Sequence, residues 1–276
     1  MRIPYTKMHG TGNVILVVDQ RQRKLPPPDR ETIRRLGAAE AETHFDQMMW
    51  VGASSDDACI ASYRVFNSDG SEVEQCGNGV RCVAKLLAAD SPERRDFKLQ
   101  SPAGVIIANV FPDGQVAVCM GTPVFEPARI PFVAEQMADS YTLLVDDDAV
   151  SIGAVSMGNP HCVLIVPNVA TARVDELGPK IEHHERFPEL VNVGFMRIGG
   201  RNNIELRVFE RGVGETAACG TGACAAVAYG RRLGRLDDEV CVSLPGGEVV
   251  VSWRGGDVDA WLKGNAELLN NGMMDL

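Results

Sequence analysis

The stretch from Arg64 to Gly79, RVFNSDGSEVEQCGNG, has a counterpart from Arg207 to Gly222, RVFERGVGETAACGTG. Both begin with Arg-Val-Phe, carry a glutamate eight residues after the arginine, and end in Cys-Gly-x-Gly. Every matched position lies 143 residues further along the chain. We call these stretches the first and second cysteine frames. An internal repeat at this distance, in a chain of 276 residues, predicts two related halves with one cysteine in the same place in each.

The repeat is wider than the two frames. A glycine-rich turn at residues 8–13 leads into the apolar run 14–18, and residues 157–161 lead in the same way into the run 162–166. A chain of 276 residues suits two domains of about 140 residues, each large enough for its own core. The last dozen residues are expected to return to the first half. We therefore predict an N-terminal domain of residues 1–119 plus 265–276 with Cys76, and a C-terminal domain of residues 120–264 with Cys219.

Composition narrows the class of protein. The chain is 45% hydrophobic and 23% charged, as is usual for a globular protein, and its formal net charge is -10. Binding to DNA or RNA requires a basic face, so a nucleic-acid partner is not expected. The first residues lack the apolar core of a signal peptide, and no apolar run is long enough to span a membrane. We expect a cytoplasmic protein whose eight cysteines are thiols, most of them buried.

Local patterns predict an α+β fold. Helices are predicted from Asp29, as N-cap, to residue 36, from the first frame to about residue 90, at 171–177 and at 223–233. Strands are predicted at 14–18, 45–51, 58–66, 162–166, 187–193, 204–209, 240–244, 249–253 and 257–262, with a hairpin over 97–120. The helices after the two frames are apolar on nearly every face, which predicts a helix surrounded by sheet. The expected architecture is two pseudo-symmetric domains, each a curled, mostly antiparallel sheet round a central helix, with the active site in the cleft between them.

The frames place each cysteine beside a predicted helix start. Asn78 and Thr221, two residues after the cysteines, are good N-cap residues, and glycines flank both. The positive end of a helix favours a thiolate, and its N–H groups can bind a carboxylate that the glycines allow to approach. Two opposed groups of this kind suit a reaction in which a proton leaves one face of a carbon while another arrives on the opposite face. Inversion of a stereocentre, with one cysteine as thiolate and the other as thiol, is that reaction.

Other readings of these motifs are weaker. Cys82 and Cys224 lie on the predicted helices and are expected in the core. Residues 220–225 fit the dinucleotide fingerprint in letters only, because the preceding residues form a polar loop where a strand is required. His161 beside Cys162 lacks the partner spacing of a metal site. A polar role for His161 in the active site is favoured, and no metal is expected.

The chain closely resembles the diaminopimelate epimerase family, whose members interconvert LL- and meso-diaminopimelate without a cofactor. The resemblance covers the whole length and rests on eight motifs, at residues 7–13, 45–47, 66–72, 75–79, 158–161, 192–195, 210–212 and 219–222. It implies two similar α+β domains, in agreement with the fold expected from the patterns. It also implies a cytoplasmic enzyme of lysine and peptidoglycan precursor synthesis. This enzyme would use no metal or organic cofactor and would form a homodimer.

The resemblance further implies roles for individual residues. Cys76 and Cys219 correspond to the two catalytic bases, with His161 and Glu210 near the thiols as catalytic support. Substrate-binding side chains are implied at Asn13, Gln47, Asn67, Asn159, Asn192, Glu210 and Arg211. Backbone N–H groups for the reacting carboxylate are implied at Gly77, Asn78, Gly220 and Thr221. An arginine for the distant carboxylate and a glutamate for the distant ammonium suit a substrate with a second amino-acid group.

Two departures from the family pattern and two rival functions stay open. Val14-Ile15 stands where the family usually has Asp-Phe, and Gly264-Asn265-Ala266 where it usually has Gly-Pro-Ala. The nearest rival is a related cofactor-independent proline or hydroxyproline racemase, but a proline substrate would leave Glu210 and Arg211 without partners. A thiol redox protein is a rival of another class, although no Cys-x-x-Cys is present. A disulfide between Cys76 and Cys219 is expected only as an inactive oxidised state of the epimerase.

Overall fold

A computed structural model describes residues 1–73, 76–146 and 148–276 of the chain. Glu74, Gln75 and Asp147 lie outside the described residues, and Gln75 belongs to one of the quoted motifs. The chain divides into two compact units, which are Met1–Cys119 with Lys263–Leu276, and Met120–Leu262. We call them the N-terminal and C-terminal units.

The N-terminal unit alternates strands with two helices. Its elements are β1 (Arg2–Gly10), β2 (Asn13–Asp19), α1 (Arg30–Gly37), β3 (Gln47–Gly52), β4 (Ala61–Asn67), β5 (Glu72–Val73), α2 (Gly77–Asp90), β6 (Asp96–Ser101), β7 (Gly104–Val110) and β8 (Val116–Gly121), the last two residues of which belong to the other unit. Asp29 caps α1 by accepting a hydrogen bond from the Thr32 N–H at 2.8 Å, as predicted.

The C-terminal unit has the same order of elements after one additional strand, β9. They are β9 (Tyr141–Val145), β10 (Asp148–Ser156), β11 (Pro160–Ile165), α3 (Val174–Glu182), β12 (Asn192–Gly200), β13 (Asn203–Glu210), β14 (Gly214–Thr216), α4 (Gly220–Arg232), β15 (Glu239–Leu244), β16 (Gly247–Ser252) and β17 (Ala260–Gly264). A short 3-10 turn, Pro127–Arg129, precedes β9. The last two residues of β17 belong to the N-terminal unit.

The strand pairing of the two units matches pair by pair. Most neighbours are antiparallel, while β2 pairs with β3 and β4 with β6 in parallel, as do their counterparts β11 with β12 and β13 with β15. The last strand, β18 (Glu267–Asp275), pairs antiparallel with β1, and β9 pairs in the same way with β10. The C-terminal residues therefore complete the sheet of the N-terminal unit, and the chain returns to the first half as predicted.

A central helix occupies the core of each unit. In α2 the buried residues include every position from Gly77 to Ala84, and in α4 every position from Gly222 to Gly230 is buried. Small side chains on all faces allow sheet residues to pack round such a helix without leaving voids. The α+β class, with a central helix in each repeat, is therefore confirmed.

Several local predictions were wrong. Residues 187–191 are a loop, so the strand predicted at 187–193 begins only at Asn192. Helix α3 starts three residues later than predicted and continues to Glu182 in spite of an internal proline. The strands β1 and β10 were not predicted at all. In β1 the alternation is interrupted at a bulge between Lys7 and Met8, and β10 ends in five consecutive buried residues, so neither strand shows an unbroken period of two.

Within the described ranges, no helix combines the length and the apolar composition needed to cross a lipid bilayer. Six of the eight cysteines are buried, and Cys119 and Cys241 are half-buried, in line with the expected core role for most of them.

Candidate active site

The two cysteine frames begin with the same ion pair. The Arg64 guanidinium contacts the Glu72 carboxylate through two hydrogen bonds of 2.6 Å each. Arg207 and Glu215 form the matching pair at 2.6 and 2.7 Å. Each pair joins a strand to the short strand after its turn, and the bidentate geometry fixes that turn more firmly than a single contact could. The sequence repeat thus corresponds to a repeated local structure.

The cysteines themselves are the N-caps of the central helices. Cys76 precedes Gly77, the first residue of α2, and has extended backbone angles. Its sulfur accepts a hydrogen bond from the Gly79 N–H at 3.2 Å, which is the contact that an N-cap side chain makes. Cys219 holds the same position ahead of α4. The prediction that Asn78 and Thr221 are the N-caps was therefore wrong by two residues. The Cys76 sulfur replaces the usual side-chain oxygen, whereas Cys219 occupies the N-cap position without a side-chain capping hydrogen bond.

A chain of side-chain amides leads to Cys76. The Asn67 Oδ1 accepts from Gln47 Nε2 at 3.0 Å, and the Gln47 Oε1 accepts from Asn13 Nδ2 at 3.3 Å. The same Asn13 Nδ2 lies 4.0 Å from the Cys76 sulfur. Asn67 also donates to the Ser71 hydroxyl at 3.0 Å. The structure therefore brings together the three amide residues proposed to bind substrate in the N-terminal unit.

A buried arginine holds the first turn of α2. Arg81 is fully buried and donates to the Asn78 Oδ1 at 2.7 Å and to the Thr11 hydroxyl at 2.8 Å. Its Nε donates to the Asn265 carbonyl at 3.2 Å. Three separate segments of the N-terminal unit are joined by one guanidinium. Asn265, one of the departures from the family pattern, supplies its backbone oxygen here, an atom that every residue type has.

Cys219 has an acidic neighbour. Its thiol donates to the Glu210 Oε2 at 3.0 Å, and its sulfur lies 3.6 Å from the Thr221 hydroxyl. Thr216 donates to the other carboxylate oxygen of Glu210. Burial and the Glu210 carboxylate together raise the pKa of the Cys219 thiol well above its usual range. Cys219 is therefore protonated at neutral pH in this arrangement.

Hydrogen bonds through Asn159 connect His161 to Thr221 of the second frame. It is 1% exposed, and its Nε2 lies 3.0 Å from the Asn159 Oδ1. Asn159 in turn donates to the Thr221 hydroxyl at 3.4 Å. Burial, and then the positive charge of Arg211, lower the pKa of His161 to about 3, so the imidazole is neutral at pH 7. Because an amide oxygen can only accept, the proton of this neutral ring lies on Nε2.

The loop that carries Glu210 and Arg211 is held by buried polar groups. The Asn192 Oδ1 accepts from the Arg211 N–H at 3.0 Å, while the Asn192 Nδ2 donates to the Pro160 carbonyl at 2.9 Å. The Arg211 Nη1 donates to the Glu189 carbonyl at 3.0 Å. Asn192 is 3% exposed. Its two hydrogen bonds connect the loop at Arg211 to the beginning of β11 at Pro160. The substrate-binding role expected of Asn192 stays a prediction.

The glycines of the frames have a packing role that sequence reasoning missed. A Cβ at Gly79 would lie 2.4 Å from the Met49 sulfur, and one at Gly220 would lie 2.9 Å from a Leu262 methyl carbon. Such distances are too short for non-bonded atoms, so a larger residue at either position would require these side chains to shift. Access for a carboxylate, the reason expected from the sequence, stays a prediction.

Comparison with known proteins decides the family. The family model of diaminopimelate epimerase matches residues 5–126 and 153–269. A diaminopimelate epimerase of Nitrosomonas europaea is 46% identical over 280 residues, covering 100% of both chains. The chain belongs to the diaminopimelate epimerase family. It is therefore an isomerase of the epimerase type.

Solved structures with low sequence identity share the fold of this diaminopimelate epimerase family member. A probable proline racemase from Agrobacterium radiobacter superposes with a TM-score of 0.72 at 16% identity, covering 99% of this chain and 93% of the other. A hydroxyproline epimerase from Agrobacterium vitis gives a TM-score of 0.70 at 15% identity, with 99% and 91% covered. At these identities the likeness concerns architecture.

Three polar residues beside the family motifs were not predicted. Thr216 contacts Glu210, Arg81 holds the first turn of α2, and Glu182 accepts from the Gly212 N–H at 2.5 Å. A charged residue inside an otherwise apolar helix was a visible signal for Arg81. Glu182 gave no such signal, because its local sequence is polar and its burial arises only from the packing of α3.

Proposed function

We propose that this chain interconverts LL- and meso-diaminopimelate by a two-base mechanism in which Cys76 and Cys219 are the acid/base groups. The observation that carries the proposal is their equivalent placement: each is the N-cap of the central helix in one of two matched units. Neither a metal nor pyridoxal phosphate takes part in the proposed mechanism. The proposal requires both sulfurs to reach one α-carbon from opposite faces.

In the proposed reaction, the Cys76 thiolate removes the α-proton from one face of the substrate. The Cys219 thiol donates its proton to the opposite face, which leaves the first sulfur as a thiol and the second as a thiolate. No electron is gained or lost, and the reverse reaction exchanges the two roles. The visible hydrogen bond from Cys219 to Glu210 supports this starting state, because it requires a proton on that sulfur.

The α-carboxylate is proposed to bind at the two helix starts. Backbone N–H groups of Gly77, Asn78, Gly220 and Thr221 lie in the first turns of α2 and α4. The first N–H groups of a helix have no partner within the helix and carry partial positive charge. They favour the extra negative charge that the carboxylate gains as the α-proton leaves.

The distant end of the substrate is proposed to bind polar side chains from both units. Arg211 is assigned to its carboxylate and Glu210 to its ammonium group, with the amides of Asn13, Gln47, Asn67, Asn159 and Asn192 completing the set. Both Glu210 oxygens already accept one hydrogen bond, and each carboxylate oxygen can accept a second. Glu210 can therefore support Cys219 and contact substrate at the same time.

His161 and Glu210 are proposed as support for the thiols in different ways. Glu210 acts directly, because its carboxylate favours the protonated form of Cys219. His161 acts through Asn159 and Thr221, which lie between it and the sulfur. We therefore assign His161 to orientation of the second frame and not to proton transfer.

The test is exchange of the α-hydrogen in deuterated water. Reduced protein, treated with a chelator and with hydroxylamine to remove any metal and pyridoxal phosphate, is mixed with LL-diaminopimelate. We expect deuterium at the α-carbon and formation of the meso isomer, followed by NMR and chiral chromatography. Absence of exchange, or exchange only after pyridoxal phosphate is added, would refute the mechanism.

Parallel assays separate the rivals. L-proline and trans-4-hydroxy-L-proline replace diaminopimelate in the same experiment, and turnover of either in place of diaminopimelate would favour a racemase of that class. A redox function would require turnover of a thiol or disulfide substrate, measured with glutathione. Cys82→Ala and Cys224→Ala are matched controls, because these buried cysteines lie on the same two helices. Both variants should keep the epimerase activity.

We further propose that the protein acts in the cytoplasm as a homodimer and supplies precursors for lysine and peptidoglycan. Sedimentation velocity of the reduced protein should give the mass of two chains. A mass of 29.8 kDa, that of one chain, would contradict the dimer without affecting the proposed chemistry.

A further inference from the structure

Helix α3 ends in a buried carboxylate that the proposed mechanism does not use. Glu182 is 4% exposed and lies outside both cysteine frames. A buried carboxylate is costly unless hydrogen bonds replace its contacts with water. Its partners therefore indicate what it does.

The main partner is the loop that carries Glu210 and Arg211. The Glu182 Oε1 accepts a hydrogen bond from the Gly212 N–H at 2.5 Å, and the His183 Nδ1 lies 3.4 Å from the other oxygen. Gly212 has a φ of +73°, and the Val213 N–H donates to the Glu210 carbonyl, which closes a tight turn. The carboxylate thus holds the middle of the turn that follows β13.

The position of Glu182 depends on a close approach between α3 and β13. A Cβ at Gly178 would lie 2.6 Å from the Phe209 ring, so glycine at this place brings the helix next to the strand. Glu182 lies one helical turn after Gly178 and on the same face. It therefore reaches Gly212, which lies three residues beyond Phe209 in the turn that follows β13. Glycine is unfavourable inside a helix, and its presence here is explained by this contact.

We propose that Glu182 is a positioning residue that sets the Glu210-Arg211 turn and thereby the binding of the distant end of the substrate. The assignment rests on the proposed function through the roles of Glu210 and Arg211. Groups that contact the unreacting end of a substrate bind ground state and transition state alike. The Glu210 side chain keeps its own contacts with Thr216 and Cys219. Loss of the Glu182 contact is therefore expected to raise KM, through Arg211, more than it lowers kcat.

Two conservative variants separate reach from charge. Glu182→Asp keeps the charge but is one methylene shorter, so its oxygen no longer reaches the Gly212 N–H. Glu182→Gln keeps the reach and a carbonyl oxygen but loses the charge.

We expect Glu182→Asp to raise KM for diaminopimelate about tenfold, with kcat changed less than about threefold, as for a lost hydrogen bond to a charged group. Glu182→Gln should stay within about twofold of the unchanged protein, since its amide oxygen still accepts. Glu185→Asp, at an exposed position near the same helix end, is the matched control and should change neither constant.

Hydrogen exchange at the backbone gives a second readout that does not need turnover. The Gly212 amide should exchange faster in Glu182→Asp than in Glu182→Gln, and Glu182→Gln should match the unchanged protein. An unchanged KM and unchanged amide exchange in Glu182→Asp would overturn the assignment, and so would equal effects of both variants. If the unchanged protein fails to epimerise diaminopimelate, the proposed function fails, while the exchange comparison still decides whether Glu182 holds the turn.

Discussion

The first and second cysteine frames have the same backbone arrangement and opposite polar surroundings. The Cys76 sulfur accepts a hydrogen bond from the Gly79 N–H, and the Asn13 amide nitrogen lies 4.0 Å from it. Cys219 donates to the Glu210 carboxylate. Donors stabilise a thiolate, and a carboxylate stabilises a thiol. Repetition thus places two cysteines alike, while the residues that differ between the repeats give the two sulfurs different partners, which suits the proposed two-base reaction.

Loss of either thiol should have the largest effect. Cys76→Ala and Cys219→Ala are each expected to lower kcat by about 10³-fold or more, near the upper part of the range for general acid–base groups, because neither sulfur can serve both faces of one carbon. Epimerisation is followed by chiral chromatography, and folding by circular dichroism. A folded variant that keeps turnover would mean that one frame suffices, and the comparison would lose its functional meaning.

The buried guanidinium of Arg81, two residues after the end of the first frame, is a second difference between the two repeats. Arg81 occupies the position that Cys224 occupies in the second repeat, and it bonds Thr11, Asn78 and Asn265. Arg81→Met keeps the bulk but leaves the two buried acceptors on Thr11 and Asn78, and the Asn265 carbonyl, with one partner fewer. We expect a loss of roughly 2–4 kcal/mol in the free energy of unfolding, measured in urea. Arg34→Met, on the exposed side of α1, is the control and should stay within about 0.5 kcal/mol. Equal stability of the two variants would contradict the role of Arg81.

Removal of the Glu210 carboxylate should make the surroundings of Cys219 more like those of Cys76. Glu210 stands at the position of Asn67 in the repeat, and it raises the pKa of the Cys219 thiol. In Glu210→Gln, the thiolate of Cys219 should form at lower pH, so iodoacetamide should alkylate Cys219 faster at pH 7. Activity should fall about tenfold to a hundredfold, as for a lost general acid–base partner.

The alkylation of each cysteine is measured by mass spectrometry of its own peptide over a range of pH. The Cys76 profile serves as an internal control and should not move in Glu210→Gln. A Cys219 profile that stays in place or shifts to higher pH would show that burial alone, the other cause of the raised pKa, determines its protonation.

The sequence predicted what depends on local pattern and repetition. Two cysteines at matched positions and the helices after them could be predicted because each leaves a periodic or duplicated signal. The hydrogen bond between Cys219 and Glu210 could not, because it depends on packing that brings the carboxylate to 3.0 Å from a sulfur nine residues away in sequence. Glu182 was missed for the same reason, since its partner Gly212 is brought to it by the packing of Gly178 on Phe209.

The smallest expected effect concerns the third helical residue in each frame. A Cβ at Gly79 would lie 2.4 Å from the sulfur of fully buried Met49, whereas one at Gly222 would lie 3.1 Å from a Val208 methyl carbon. Alanine improves helix propensity equally at both sites, so the difference reports packing. Gly79→Ala should lower the free energy of unfolding by about 1–3 kcal/mol, and Gly222→Ala should change it by less than about 1 kcal/mol.

A double variant shows whether the Met49 contact is the cause. If it is, Met49→Val should destabilise the Gly79→Ala protein less than it destabilises the unchanged one, because the smaller side chain makes room for the new methyl group. Strictly additive effects would contradict this. For activity, Gly222→Ala is expected to have a larger effect than Gly79→Ala, because a Cβ at Gly222 also lies 3.3 Å from the Cys219 sulfur. Gly222→Ala should therefore lower kcat with little change in the free energy of unfolding. Gly79→Ala should mainly lower the free energy of unfolding, because the equivalent glycine in the first frame packs against Met49 and not against the catalytic sulfur.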